Sequence, residues 1–144
     1  LIHSLKNTGK KTIETEVFDH NFFLLDHRPM GPGLVLKFPF HPSVEKARGL
    51  DDIATLRADS IAVLRQPAPG ESVYGELFGF GESEKDYDIR LQNHITGTGV
   101  RIRCDRPLSR LVFWGSSTIL CPEPYIRVKV LPGETFRWTI QYDF

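Results

Sequence analysis

The sequence predicts an all-β protein, an antiparallel β-sandwich spanning residues 1–144 as one domain. Three observations predict it. Apolar residues recur with a period of two down the chain, and no 3.6-residue pattern is sustained. The candidate strands are short and separated by turn signals about every ten residues, the spacing of sandwiches and barrels. One side of most strands is apolar and the other charged, as expected where one face of each sheet meets water. A chain of 144 residues is also long enough to bury a core without covalent staples.

Leu1 to Leu5 reads as a strand closed by the turn Asn7-Thr8-Gly9-Lys10. The chain begins without an initiator methionine or any cap before its first apolar residues, as if opening partway along a strand of a longer protein. Thr12 to Phe18 is rich in β-branched residues. It runs into Val17-Phe18-Asp19-His20-Asn21-Phe22-Phe23-Leu24-Leu25, read as a rigid strand-borne stretch carrying three polar groups. Pro29-Met30-Gly31-Pro32-Gly33 breaks the chain, and Leu34 to Phe38 follows as a strand. Pro39 to Gly49 reads as an irregular loop with a helical turn at Val44 to Arg48. Asp51 to Arg65 reads as two short strands around Ala58-Asp59-Ser60, then Pro67 to Glu71 as a loop. Ser72 to Phe80 is a strand in which Gly75 and Gly79 signal a bulge or a close backbone approach.

The second half alternates more cleanly. Tyr87, Ile89, Leu91, Asn93 and Ile95 form one side of a strand. The turn Thr96-Gly97-Thr98-Gly99 then leads to Val100, Ile102 and Cys104, which makes a hairpin. Leu108 to Trp114 is a further strand. Ile126, Val128 and Val130 alternate with Arg127 and Lys129, and after Leu131-Pro132-Gly133-Glu134 the last strand runs from Phe136 to Phe144.

Composition narrows the function classes. Eighteen Lys and Arg balance eighteen Asp and Glu, so no global field draws nucleic acid or an anionic membrane. No apolar run approaches the ~20 residues of a membrane span, and no charged-then-apolar leader opens the chain. Cys104 and Cys121 make neither a disulfide framework nor a zinc site by spacing, and Cys104 reads as a small core hydrophobe. No phosphate loop, dinucleotide fingerprint or nucleophile elbow is present, and no cofactor is expected.

Two places can carry chemistry. In the first, Asp19, His20 and Asn21 sit among apolar neighbours; the plain alternative is a structural histidine satisfied by a backbone partner. In the second, Cys121-Pro122-Glu123-Pro124-Tyr125, the prolines hold Glu123 on a stiff extended backbone. Desolvation moves a carboxylate toward the range of a working base; the alternative is a glutamate in a proline-rich bend. Trp114 and Tyr125 supply flat apolar surfaces for a sugar face or for the core. Arg101, Arg103, Arg106 and Arg110 form a basic cluster, read as a solvated sheet face rather than an anion site. A metal site from Asp19, His20, Asp26 and His27 is not expected, because His20 and His27 fall on opposite faces of a continuous strand.

The order of motifs carries more than any one of them. Asn7-Thr8-Gly9-Lys10-Lys11, Asp19-His20-Asn21-Phe22-Phe23, Arg106-Pro107-Leu108 into Phe113-Trp114, Pro122-Glu123-Pro124, and the closing Pro132-Gly133-Glu134-Thr135-Phe136 with Tyr142-Asp143-Phe144 follow one another. In that order they resemble the C-terminal half of a galactose-mutarotase-like (aldose 1-epimerase) domain. The resemblance implies an N-terminal half of the same fold before residue 1, a small-molecule sugar as ligand, and acid–base ring opening at the anomeric carbon. By position it makes His20 the acid and Glu123 the base, with Asp19 and Asn21 among the sugar-binding groups. The competing expectation is a non-catalytic carbohydrate-binding or structural sandwich. Catalysis requires the imidazole and the carboxylate to face one cleft about a sugar ring (~5–8 Å) apart, so that each reaches its proton.

Overall fold

A computed structural model describes residues 1–144. The chain forms two antiparallel sheets packed face to face. The larger has seven strands, in spatial order β1 (Ile2–Lys6), β12 (Thr135–Asp143), β9 (Gly99–Cys104), β8 (Asp88–Asn93), β3 (Leu34–Lys37), β6 (Ser60–Val63) and β5 (Ala54–Arg57). The smaller has five: β2 (Ile13–Phe18), β11 (Leu120–Val130), β10 (Arg110–Gly115), β7 (Val73–Phe78) and β4 (Ser43–Arg48). The all-β sandwich predicted from the alternation is the fold observed. No helix is long and apolar enough to cross a membrane.

Alternation decides which residues make the core. On β8 and β9, Ile89, Leu91, Val100 and Ile102 are buried between the sheets, and the cross-strand pairs Ile89–Ile102 and Leu91–Val100 stack them in register. From the smaller sheet Leu77, Leu111, Phe113, Ile126 and Val128 close on them. The hairpin at residues 96–99 and the two short strands flanking Ala58-Asp59 are found as expected.

Three local expectations are corrected. Val44 to Arg48 is not a helical turn but lies within β4, an edge strand paired to β7 with a register shift between Glu45 and Arg48. Lys46 there has φ 50°, which places the extra residue of a bulge, and the charged side chains that resemble a helix face guard a sheet edge. The run from Val17 to Leu25 is not one rigid strand. β2 ends at Phe18, Phe23 makes a single bridge to Leu120, and Leu25–His27 is a short 3₁₀ turn. Of the two readings of Leu120 to Tyr125, the proline-rich bend is overturned and the extended backbone is found, as the first half of the eleven-residue strand β11.

The third correction and the second share one cause. Leu120 exchanges both backbone hydrogen bonds with Phe23, so even-numbered residues of β11 aim their backbone groups toward β2 and the chain that follows it. Pro122 and Pro124 are even-numbered, and their missing N–H groups fall on that side. β2 pairs with β11 only from Tyr125 to Val130. Past Phe18 it finds no donor to bind, and residues 19–22 lie outside the ladder until Phe23 bridges Leu120 in the same register. On the other side Pro122 and Pro124 keep their places opposite Phe113 and Leu111 of β10. The prolines are therefore compatible with a strand, because the ladder lies on the side where nitrogen carries hydrogen.

Gly75 is a close approach as predicted. A Cβ there would sit 2.6 Å from Cγ1 of Val44, so only glycine lets β4 and β7 pack at this separation.

Candidate functional site

The outer face of the smaller sheet is where chemistry-bearing side chains converge. On β11 the odd residues Cys121, Glu123 and Tyr125 point outward while their even neighbours enter the core. Register sets Trp114 of β10 opposite Cys121, Val112 opposite Glu123, and Arg110 opposite Tyr125. Tyr74 and Glu76 of β7 continue these rows beside Trp114 and Val112. Phe18 lies opposite Tyr125 from the β2 side.

The segment after β2 runs on beside β11 in the same register, since Phe23 bridges Leu120 as Phe18 pairs with Tyr125. His20 lands between Cys121 and Glu123: its Nδ1 is 2.9 Å from the Cys121 Sγ and its Nε2 is 3.2 Å from the Glu123 Oε1. The imidazole stacks on Phe22 at 4.0 Å between centroids and meets Trp114 edge-on at 6.3 Å. Cys121 is fully buried and Glu123 nearly so, whereas 40% of the His20 side chain is open to water. Solvent therefore reaches this group through histidine.

Alternation splits the polar trio. His20 and Phe22 turn outward, but Asp19 and Asn21 turn toward the opposite sheet. The Tyr142 hydroxyl donates to Asn21 Oδ1 at 2.8 Å, and Asn21 Nδ2 donates to the carbonyls of Pro122 and Asp19, each at 3.2 Å. Asp19 lies 3.7 Å from Nε2 of His3, whose ring stacks on Trp138. Asp19 and Asn21, expected among the sugar-binding groups, are thus engaged in fastening the loop. Burial and the neighbouring Asp19 charge push the Tyr142 hydroxyl up to about 12, so it remains a donor.

The two aromatic residues expected at a sugar face have different surroundings. Trp114 borders His20 as a half-buried ring, but Tyr125 is already engaged by the stacked ring of Phe18 at 4.2 Å and by the Arg110 guanidinium at 5.1 Å. The rings with open faces are Phe18 and Phe22, 41% and 60% exposed. Next to them Glu76 accepts from both Lys46 (2.9 Å) and Arg110 (3.0 Å), and these cations hold its carboxyl below the ordinary range. Of the other three arginines of the basic cluster, Arg101 pairs with Asp88 and Arg103 with Asp143, as on a solvated face, while Arg106 donates to the Arg137 carbonyl.

The cysteines are both free and buried. Cys104 is the core residue expected. Cys121 was missed as a site residue, although a Cys-x-Glu spacing puts both side chains on one face as soon as 120–125 is taken as a strand. Thiol, imidazole and carboxylate stand in the order used for nucleophilic catalysis. Burial, and secondarily the charge of Glu123, push the Cys121 thiol up to about 12. A thiol this buried and this weakly acidic is not a nucleophile for an external substrate.

His20 and Glu123, distant in sequence, do meet, but at 3.2 Å rather than across the ~5–8 Å that a sugar ring between them requires. The largest cavity, about 770 Å³, lies elsewhere, bordered by Phe80, Arg106, Arg127 and Phe136. The fold and this face define the protein as a two-sheet antiparallel sandwich with an aromatic-bordered His–Cys–Glu cluster on its smaller sheet. No family model, curated protein or solved structure matches the chain.

Proposed function

We propose that the chain is a carbohydrate-active, galactose-mutarotase-like domain whose His20 and Glu123 act as acid and base on an aldose ring. The observation that carries the reading is the convergence of these two side chains, 3.2 Å apart, on a solvent-reached face flanked by Phe18, Phe22 and Trp114. Imidazole and carboxylate are the side chains most often placed as general acid and general base, and each here lies within hydrogen-bond reach of the other on the same face.

In this reading Glu123 takes the proton of the anomeric hydroxyl while a protonated His20 gives one to the ring oxygen. The bond from the anomeric carbon to that oxygen breaks, the aldehyde rotates about its bond to the second carbon, and reclosure from the other side returns both protons. The resting contact leaves no room for a ring, so the imidazole must first swing away by about 2–5 Å. Its place on an irregular segment, with 40% of the side chain exposed, supplies that freedom. Asn21 keeps the backbone fixed while the side chain turns.

The direct His20–Glu123 contact also favours a second reading, a sugar-binding sandwich that catalyses nothing, in which Phe18 and Phe22 stack on the sugar. Saturation-transfer NMR on a panel of aldoses separates the two. Catalysis predicts accelerated α/β interconversion that falls about 10²–10⁴-fold in His20→Ala and in Glu123→Gln. Binding without acceleration, lost in Phe22→Ala, establishes the second reading. Neither acceleration nor binding with any aldose removes the carbohydrate assignment.

A further inference from the structure

We propose that Cys121, His20 and Glu123 form a binding site for a divalent metal ion of the zinc class, and that an ion held there competes with the sugar chemistry for the same imidazole and carboxylate. The metal site itself needs none of the acid–base reading; the competition rests on that reading. The inference starts from donor type: a thiol, an imidazole and a carboxylate are the three ligand kinds that zinc takes, whereas magnesium and calcium want oxygen alone.

Placement agrees with the donor set. Cys121 and Glu123 lie two apart on one strand, so the sheet itself holds sulfur and carboxylate on one face, and His20 descends between them from a separate segment. One donor atom from each of the three lies within 4.8 Å of the others. The closest contacts are already 2.9 Å and 3.2 Å, against edges of about 3.5 Å between donors around a tetrahedral ion. Binding requires the imidazole to turn so that one nitrogen faces the centre, a movement its exposure and irregular backbone permit. The same exposure leaves the fourth position to water, the arrangement of an open three-ligand site. Buried cysteine and glutamate form the floor of the site, and the stacked Phe22 and the edge of Trp114 form its rim.

The proton balance gives a signature. In the resting site the thiol and imidazole share a hydrogen bond. When sulfur bonds the ion, the thiol proton leaves for solvent, so ion binding is accompanied by proton release.

The test is titration of the reduced full chain with Co²⁺, followed by displacement with Zn²⁺, and calorimetry in two buffers of different ionisation enthalpy. A thiolate-to-cobalt charge-transfer band saturating at one ion per chain, bleached by Zn²⁺ and accompanied by proton release, is the expected result. The band should vanish in Cys121→Ser, weaken in His20→Ala, which alters an exposed side chain, and persist in Cys104→Ser. Absence of the band in the wild-type chain overturns the proposal, as does a band that survives Cys121→Ser. No sugar enters this measurement, so its failure leaves the interconversion experiment standing. Where interconversion is observed, Zn²⁺ should inhibit it and Cys121→Ser should relieve the inhibition.

Discussion

Asn21 is the residue on which the position of His20 depends, and replacing it tests that dependence. In Asn21→Ala the Pro122 carbonyl, on the strand side that lacks a backbone ladder, loses the Nδ2 donor that reaches it. The Tyr142 hydroxyl loses the acceptor at 2.8 Å and keeps only Asp19 Oδ2 at 3.4 Å. A hydroxyl has one proton, so the shorter bond is the one it makes at rest. Leaving a buried polar group unpaired costs about 1–3 kcal/mol. With the buried Pro122 carbonyl and the part-buried Asp19 carbonyl both losing their Nδ2 donor and one hydroxyl half-compensated, the loss should be about 2–3 kcal/mol. For a chain of this length that corresponds to a fall in Tm of about 5–10 °C. Urea denaturation with an unchanged m value measures it. Crossing the variant with Tyr142→Phe should expose a coupling of about 1 kcal/mol between the two side chains, which touch directly. A loss below about 0.5 kcal/mol, or additivity within experimental error, would refute the claim that this network holds the loop.

Further outcomes follow from the packing and charge. Asp88 accepts from Arg101 at 2.6 Å with its side chain only 17% exposed, and that hydrogen bond, ahead of Arg90, holds the carboxyl down at about 2 against an ordinary 3.8. Because its folded value is depressed, its contribution, about 2 kcal/mol, is complete above pH ~4 and is lost as pH falls from there through about 2. Asp88→Asn should be less stable at pH 6 and lose correspondingly less on acidification; parallel stability–pH curves for the two proteins would contradict this. Gly75→Ala should cost about 1–3 kcal/mol, since the new Cβ meets Val44 Cγ1 at 2.6 Å. Adding Val44→Ala removes the clash, so the double variant should be more stable than additivity predicts, and a strictly additive pair would show that the contact is not the cause.

How much was legible in the residues can be argued from particular strands. Where alternation is uninterrupted, as from Asp88 to Cys104 and from Thr135 to Asp143, the elements and their buried sides follow directly, because a period of two has only one way to hide its apolar half. Val44 to Arg48 was misread because charge on an edge strand and charge on a helix face have the same composition; the bulge at Lys46 removes the register that would have told them apart. The prolines of β11 left an extended backbone and a bend both open, because proline is a breaker only on the side where a hydrogen bond is wanted, and no local pattern says which side that is.

The sequence by itself determined the sandwich, the buried halves of its strands and the candidacy of His20 and Glu123, since each rests on periodicity or on residue type. Only the tertiary structure decided that these two touch at 3.2 Å, that Cys121 joins them, and that Asp19 and Asn21 turn to the other sheet. The reason is physical. Side-chain direction along one strand is local, but the distance between His20 and residues 101 and 103 positions away depends on the register in which β2 and the chain after it lie beside β11, which neither segment states by itself.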